Sequence, residues 1–137
     1  MKIDAENLLL GRFAARAAKS ALLGEDVQII NCDKAVVSGR RLYVFQQYLR
    51  RKRMGTHRKG PFYFTAPDRF VKRTIRGMLP HRQEKGRLAL KRIMCYSGVP
   101  VSMKKEDFHA VKSAHVAKLN STKFVSVRQI CSAMGGK

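Results

Sequence analysis

Hydrophobic and polar residues alternate along the chain in a way that predicts short strands separated by helices. Ile3 begins a short apolar strand, and residues 11–23 then place Phe13, Ala17 and Ala21 on one helical stripe. Alanine side chains are small, so a helix with this face can lie close to a sheet. The pattern therefore predicts a strand followed by a helix that packs tightly on it.

The next strand is predicted to be buried on both faces. Gly24 is well placed to end the preceding helix in the left-handed conformation, which residues with a Cβ avoid. Residues 27–30 (Val-Gln-Ile-Ile) are mostly apolar, which is typical of a strand in a parallel sheet covered by helices. Residues 31–33 would then lie at the carboxyl end of that strand.

A first basic helix is predicted after Gly39. Leu42, Phe45 and Leu49 recur at helical spacing and are expected to face the core, so truncating Leu42 should lower stability. Residues 50–53 (Arg-Arg-Lys-Arg) gather near the end of this helix, where cations also interact favourably with the helix dipole.

A second basic helix is predicted to begin near Pro67, because proline is tolerated in a first helical turn. Phe70, Thr74, Ile75 and Met78 are expected to face inward. The solvent face of this helix carries Arg69, Lys72, Arg73 and Arg76. Most exposed helical faces pair such cations with glutamates at helical spacing, and this face has none.

The remaining segments complete an alternating order of strands and helices. Residues 54–66 break the periodicity and are predicted to form a basic loop, residues 88–92 look helical, and residues 93–96 return the chain to the sheet. Ser126 and Gln129 have the spacing of a capping box for a short helix that ends near Gly135.

Charge changes this picture because it is concentrated in one part of the chain. The 137 residues include 29 Lys and Arg against 9 Asp and Glu, a formal net charge of +20. Seventeen of the basic residues lie between Arg40 and Arg92, where Asp68 and Glu84 are the only acids. Nucleic acid is the partner that best matches this concentration of positive charge, since each phosphate that the protein neutralises releases condensed counterions.

Composition narrows the class of protein. The length and a hydrophobic fraction of 45% suit one domain spanning residues 1–137. Three widely spaced cysteines favour neither a disulfide framework nor a zinc site, which indicates a reducing compartment. The sequence contains no apolar run long enough for a membrane span and no signal peptide. We therefore expect a cytoplasmic protein without membrane contact, metal, cofactor or small-molecule substrate.

The candidate RNA-binding residues lie in four segments, with phosphate as the expected ligand. They are Arg50, Arg51, Lys52 and Arg53; His57, Arg58, Lys59 and Tyr63; Arg69, Lys72, Arg73 and Arg76; and His81, Arg82, Lys85 and Arg87. Tyr63 has two interpretations, because an aromatic ring in this position could stack on an unpaired base or pack in the core.

Catalytic chemistry is not evident. Cys32 follows a predicted strand, where a nucleophile could sit, but a buried free cysteine is commoner and no partner histidine is identifiable. Residues 10–12 match no phosphate-binding loop. Asp4, Glu6 and Asp33 are better suited to capping or to internal pairing with arginine than to acid–base work.

Several motifs together resemble a known family. They are residues 70–81 (FVKRTIRGMLPH), 86–87 (GR) and 96–98 (YSG), with 4–6 (DAE), 10–12 (LGR), 30–35 (INCDKA) and 38–39 (SG) upstream. This chain resembles the ribosomal protein thirteen family of the large subunit, and residues 123–127 (KFVSV) resemble its archaeal and eukaryotic branch. The resemblance implies a three-layer α/β/α domain with a small, mainly parallel sheet and basic loop and helix extensions.

The resemblance also implies a function. The expected role is a structural constituent that binds and stabilises large-subunit rRNA, during assembly and in the mature ribosome, next to other large-subunit proteins. Residues 40–92 would face RNA, and residues 99–137 would form a C-terminal extension, of which 99–122 match no bacterial tail. The alternative is an RNA-modifying enzyme domain that uses the basic surface to hold its substrate, which would require a cofactor pocket.

Overall fold

Five short strands form two small sheets in the computed structural model, which describes residues 1–103 and 108–136. The strands are β1 (Lys2–Asp4), β2 (Val27–Ile30), β3 (Val36–Ser38), β4 (Ile93–Cys95) and β5 (Phe124–Ser126). The first sheet is parallel with the order β1-β2-β4, and the second is the antiparallel pair β3-β5. The sequence predicts the parallel strands and misses the antiparallel pair.

Helices alternate with these strands along the chain. They are α1 (Leu10–Leu22), α2 (Arg41–Arg53), α3 (Pro67–Met78), α4 (Glu84–Lys91) and α5 (Val127–Ala133). Helix α1 connects β1 to β2, whereas α2, α3 and α4 lie between β3 and β4 in the chain. The predicted α/β class with a small, mainly parallel sheet is confirmed.

Helix α1 forms one side of the hydrophobic core, as its small residues predict. Phe13, Ala17 and Ala21 are fully buried, and the helix packs against α3, α4 and β2. The alanines permit this close approach because they add little volume between the backbones. Gly24 follows with φ +100°, so it takes the left-handed conformation predicted for the helix end.

Helix α2 turns a different face to the core from the one predicted. The prediction that Leu42 faces inward is wrong, because Leu42 is 77% exposed. Val44 is buried instead, and Phe45 and Tyr48 pack against the core beside it. Apolar residues lie on more than one side of this helix, and its contacts with α5 and β5 select the side that carries Val44.

Helix α3 packs against α1 through its apolar side chains. Phe70, Val71 and Ile75 are buried, and the Phe70 ring lies 5.1 Å from the Tyr48 ring of α2, measured between centroids. Met78 is exposed, so the predicted inward position of this residue is wrong. The buried face of α3 is formed by Phe70, Val71 and Ile75, because Val71 lies beside Phe70 and one turn before Ile75.

The described part of the C-terminal segment belongs to the fold itself. Residues 109–116 run along β1 and the start of α1, where the Leu9 amide donates to the Ala114 carbonyl at 2.8 Å and the Val116 amide donates to the Asn7 carbonyl at 2.9 Å. The predicted capping box of Ser126 and Gln129 is present at the start of α5. Residues 104–107 of the expected extension lie outside the described residues.

Candidate nucleic-acid interface

The outer face of α3 presents four cations in one stripe. Arg69, Lys72, Arg73 and Arg76 are spaced three or four residues apart, so their side chains emerge from the same side of the helix. Arg69 and Arg76 are exposed, and Lys72 and Arg73 are partly buried. The predicted grouping of these cations on one face is confirmed, although Lys72 and Arg73 are not fully open to solvent as predicted.

The basic loop, residues 54–66, is held against α3 by aromatic rings. The Arg73 guanidinium lies 3.8 Å from the centroid of the Tyr63 ring and donates a hydrogen bond to the Phe62 carbonyl. The Arg69 guanidinium lies 5.4 Å from the centroid of the Phe64 ring. Each such contact contributes about 0.5–2 kcal/mol. The partly buried Tyr63 ring is therefore occupied on one face by Arg73.

The tip of the loop is a tight turn that exposes three basic side chains. The Gly60 amide donates to the Thr56 carbonyl at 3.0 Å, and the Lys59 amide donates to the Thr56 hydroxyl at 3.3 Å. Gly55 has φ +81°, and a Cβ on it would collide with the Gly60 carbonyl. The exposed side chains in this turn are His57, Arg58 and Lys59.

The four predicted cations at the end of α2 have different surroundings. Arg50 and Arg53 are exposed, and the Arg51 guanidinium lies 5.5 Å from the centroid of the Tyr48 ring. The Lys52 ammonium donates to the Met134 carbonyl at the end of α5, where a cation also interacts favourably with the helix dipole. Lys52 therefore has a structural partner within the chain.

The turn before α4 is fixed by close backbone packing. Gly86 is buried, and a Cβ at this position would collide with the Pro80 carbonyl. The His81 amide donates to the Leu79 carbonyl at 2.7 Å, and the His81 ring stays partly buried above the same carbonyl. The predicted cations Arg82, Lys85 and Arg87 are exposed on this turn and on α4, as is Lys91 at the end of the helix.

A cavity of about 470 Å³ is lined by a second group of cations, of which only Arg40 lies in the predicted RNA-facing region, residues 40–92. Arg12, Arg40, Lys118 and Lys123 come from the start of α1, the turn before α2 and the C-terminal segment. The Arg12 guanidinium also donates to the Ser113 carbonyl at 3.3 Å. Sequence reasoning misses this group, because its members are isolated along the chain and only the fold brings them together.

Acidic residues near the N-terminus are used inside the chain. The Asp4 carboxylate accepts hydrogen bonds from the Glu6 amide at 3.0 Å and from the Asn31 amide group at 2.9 Å. The Glu6 carboxylate pairs with the Lys34 ammonium at 3.0 Å. The predicted internal use of Asp4 and Glu6 is confirmed, with a lysine as the partner of Glu6 where an arginine was expected.

The cysteine environments do not suit nucleophilic chemistry. A hydrogen bond with Cys95, together with burial, raises the pKa of the Cys32 thiol well above its ordinary value. Burial raises the pKa of the Cys131 thiol to about 11. A thiol that stays protonated at neutral pH is a poor nucleophile. Within residues 1–103 and 108–136, no cluster of three or more His, Cys, Asp and Glu could hold a metal ion.

No helix in the described part of the chain is long and apolar enough to cross a membrane. The longest helices, α1 and α2, each have 13 residues. A membrane-spanning helix needs about 20 consecutive apolar residues.

Comparison with known proteins gives a consistent result over nearly the whole chain. A sequence profile of the family described as Ribosomal protein L13 matches residues 1–102. Large ribosomal subunit protein uL13 of Methanococcoides burtonii is 38% identical over 135 residues, which cover 98% of this chain and 97% of the relative. The proteins of the same name from Methanosarcina barkeri and Haloarcula marismortui are 39% and 36% identical, covering 98% and 97% of this chain and 97% and 89% of the relatives.

Proposed function

The chain belongs to the ribosomal protein L13 family of the large ribosomal subunit, and on that premise we propose that it binds and stabilises folded large-subunit rRNA, during assembly and in the mature ribosome. The family consists of structural proteins and not of enzymes. Membership of this family therefore speaks against the alternative function, an RNA-modifying enzyme domain. The proposed location is the cytoplasmic ribosome, where neighbouring large-subunit proteins are further partners.

One observation carries the proposal, namely the stripe of four cations on α3 with the aromatic loop docked beside it. Arg69 and Arg76 are exposed on this stripe, and Arg73 is fixed by Tyr63. A cation that is already oriented loses less conformational freedom when it contacts a phosphate. The stripe therefore offers several phosphate contacts on a surface that is largely formed before RNA arrives.

The proposed contacts fall into two classes. Exposed cations without an aromatic partner supply phosphate contacts, and these are Arg50, Arg53, Arg58, Lys59, Arg76, Arg82, Lys85 and Arg87, with His57. Cations held on rings or at carbonyls shape the surface, and these are Arg51, Lys52, Arg69 and Arg73. The partly buried Lys72 completes the phosphate contacts of the stripe on α3. Because A-form RNA hides its major groove, specificity is expected to come from the shape of the folded RNA.

The direct test is binding to large-subunit rRNA, compared with unrelated RNA of equal length, across a salt titration. We expect the preference for rRNA to persist as salt rises, because shape recognition adds to the phosphate contacts. Equal binding of both RNAs, lost together at the same salt concentration, would refute a specific rRNA surface.

Matched arginine variants identify the phosphate contacts. Arg76→Gln is expected to flatten the slope of log affinity against log salt by up to about 0.7 to 0.9, the value for one phosphate contact. Arg16→Gln, on the exposed face of α1 outside residues 40–92, is the control and should leave that slope unchanged. Equal slopes for wild type and Arg76→Gln would exclude Arg76 from the interface.

A further inference from the structure

A groove of about 260 Å³ runs along the basic face of α3. It is lined by Phe64, Arg69, Lys72, Arg73, Arg76 and Leu90, which come from the basic loop, α3 and α4. Phosphate contacts alone explain the cations but not the two apolar residues between them. This combination of carbon surface and positive charge calls for a ligand with both a flat apolar body and negative groups.

The apolar part of the groove is accessible from solvent. Phe64 remains 44% exposed although Arg69 lies near its ring, and Leu90 is partly buried against the core. An aromatic ring left open beside a basic helix is costly to hydrate and is suited to stacking. Arginine guanidinium planes also stack on nucleobases, so Arg69 adds to the same surface.

The charged part of the groove has a single sign. Its four cations lie on one side of α3, and no carboxylate lines it among the residues that the structure describes. Arg73 is held by the Tyr63 ring and the Phe62 carbonyl, which keeps its guanidinium at the groove when no ligand is bound. The groove therefore presents fixed positive charge around an apolar centre.

We propose that this groove holds one unpaired nucleotide that is turned out of the folded RNA. The base lies against Phe64 and Leu90, and the flanking phosphates contact Lys72 and Arg76. A base-paired nucleotide cannot enter the groove, because the neighbouring bases of the RNA duplex cover both faces of its base. The inference rests on the proposed rRNA binding and adds to it a single-nucleotide pocket with an aromatic wall.

Removing the aromatic wall separates stacking from charge. Phe64→Ala is expected to weaken binding to large-subunit rRNA by about 5- to 150-fold, the range for loss of one stacked base, without changing the salt slope. Phe124→Ala is a matched control, since Phe124 is also 44% exposed and lies on β5 away from the groove. Wild-type affinity in Phe64→Ala would overturn the inference.

A fluorescence experiment tests the same contact without removing a ring. The chain contains no tryptophan, so Phe64→Trp places a single indole in the groove. Large-subunit rRNA should quench this indole by stacking and should leave the emission of Phe124→Trp unchanged. Emission from Phe64→Trp that is unaffected by bound rRNA would overturn the inference. The Phe64→Trp experiment also remains informative if Phe64→Ala does not fold.

The outcomes distinguish this inference from the proposed function. If wild type shows no preference for large-subunit rRNA, the proposed function fails and the groove has no RNA ligand. If wild type shows the preference while Phe64→Ala binds equally well, only the nucleotide pocket fails. That second result would leave the groove available to another class of ligand, such as an acidic peptide with an aromatic side chain.

Discussion

Val44 fixes the orientation of α2 although its larger neighbour Leu42 lies two residues away. Val44 is buried where α2 meets α5 and β5, whereas Leu42 projects into solvent. Apolar spacing alone offers two candidate faces for this helix, because Leu42, Phe45 and Leu49 form one stripe and Val44, Phe45 and Tyr48 form another. Which stripe is buried depends on tertiary partners, so this position could not be predicted from the local pattern.

Truncation of these two residues should therefore have unequal effects. Val44→Ala is expected to lower the free energy of unfolding by roughly 2 kcal/mol, because it removes two buried methyl groups and leaves a cavity. Leu42→Ala should change it by less than about 0.5 kcal/mol, as is usual for an exposed side chain. Urea denaturation of both variants provides the measurement, and a larger loss for Leu42→Ala would contradict this orientation of α2.

The helices and parallel strands were predictable as elements because their signals are local. Residues 11–23 and 67–78 carry clear helical periodicity, and the capping box at Ser126 marks a helix start within four residues. The pair of β3 and β5 was missed, because the alternating order of strands and helices predicts one parallel sheet and gives no sign of a separate antiparallel pair. Likewise, the sequence of residues 50–53 shows their positive charge, but it does not show that Lys52 donates to the Met134 carbonyl at the end of α5.

The contact of Lys52 with α5 predicts a variant that affects stability and not RNA binding. Lys52→Met should lower the free energy of unfolding by about 1 kcal/mol, because the Met134 carbonyl loses its charged donor at a helix end. The salt slope of RNA binding should remain that of wild type. Arg53→Gln is the matched comparison, and we expect it to flatten the slope with little loss of stability. A flatter slope in Lys52→Met would instead place Lys52 at a phosphate.

At the scale of the whole molecule, net charge opposes compaction. The chain carries a formal charge of +20, and its basic residues concentrate in residues 40–92. The sequence therefore predicts the sign and the region of the candidate site. The groove of Phe64 and Leu90 and the cluster around Arg12 and Lys123 were not predictable, because each combines segments that only the folded chain brings together.

Self-repulsion makes the stability of the free protein dependent on salt. Raising NaCl from about 0.01 M to about 0.1 M shortens the Debye length from roughly 30 Å to roughly 10 Å, which screens repulsion between the basic segments. We expect Tm to rise by about 4 °C, the shift that about 1 kcal/mol produces in a domain of this size. Thermal unfolding followed by circular dichroism measures it, and a Tm that stays constant or falls would show that repulsion is not significant.

The pairing of β3 with β5 has a consequence for how the protein is made. As long as only residues 1–100 have left the exit tunnel, β1, β2 and β4 can pair, but β5 and residues 109–116 are not yet available. The nascent chain then presents β3 without its partner and β1 with an open outer edge, and open strand edges tend to pair with other chains. When β5 and residues 109–116 leave the exit tunnel, they cover these two open edges and so remove sites at which the new chain could aggregate.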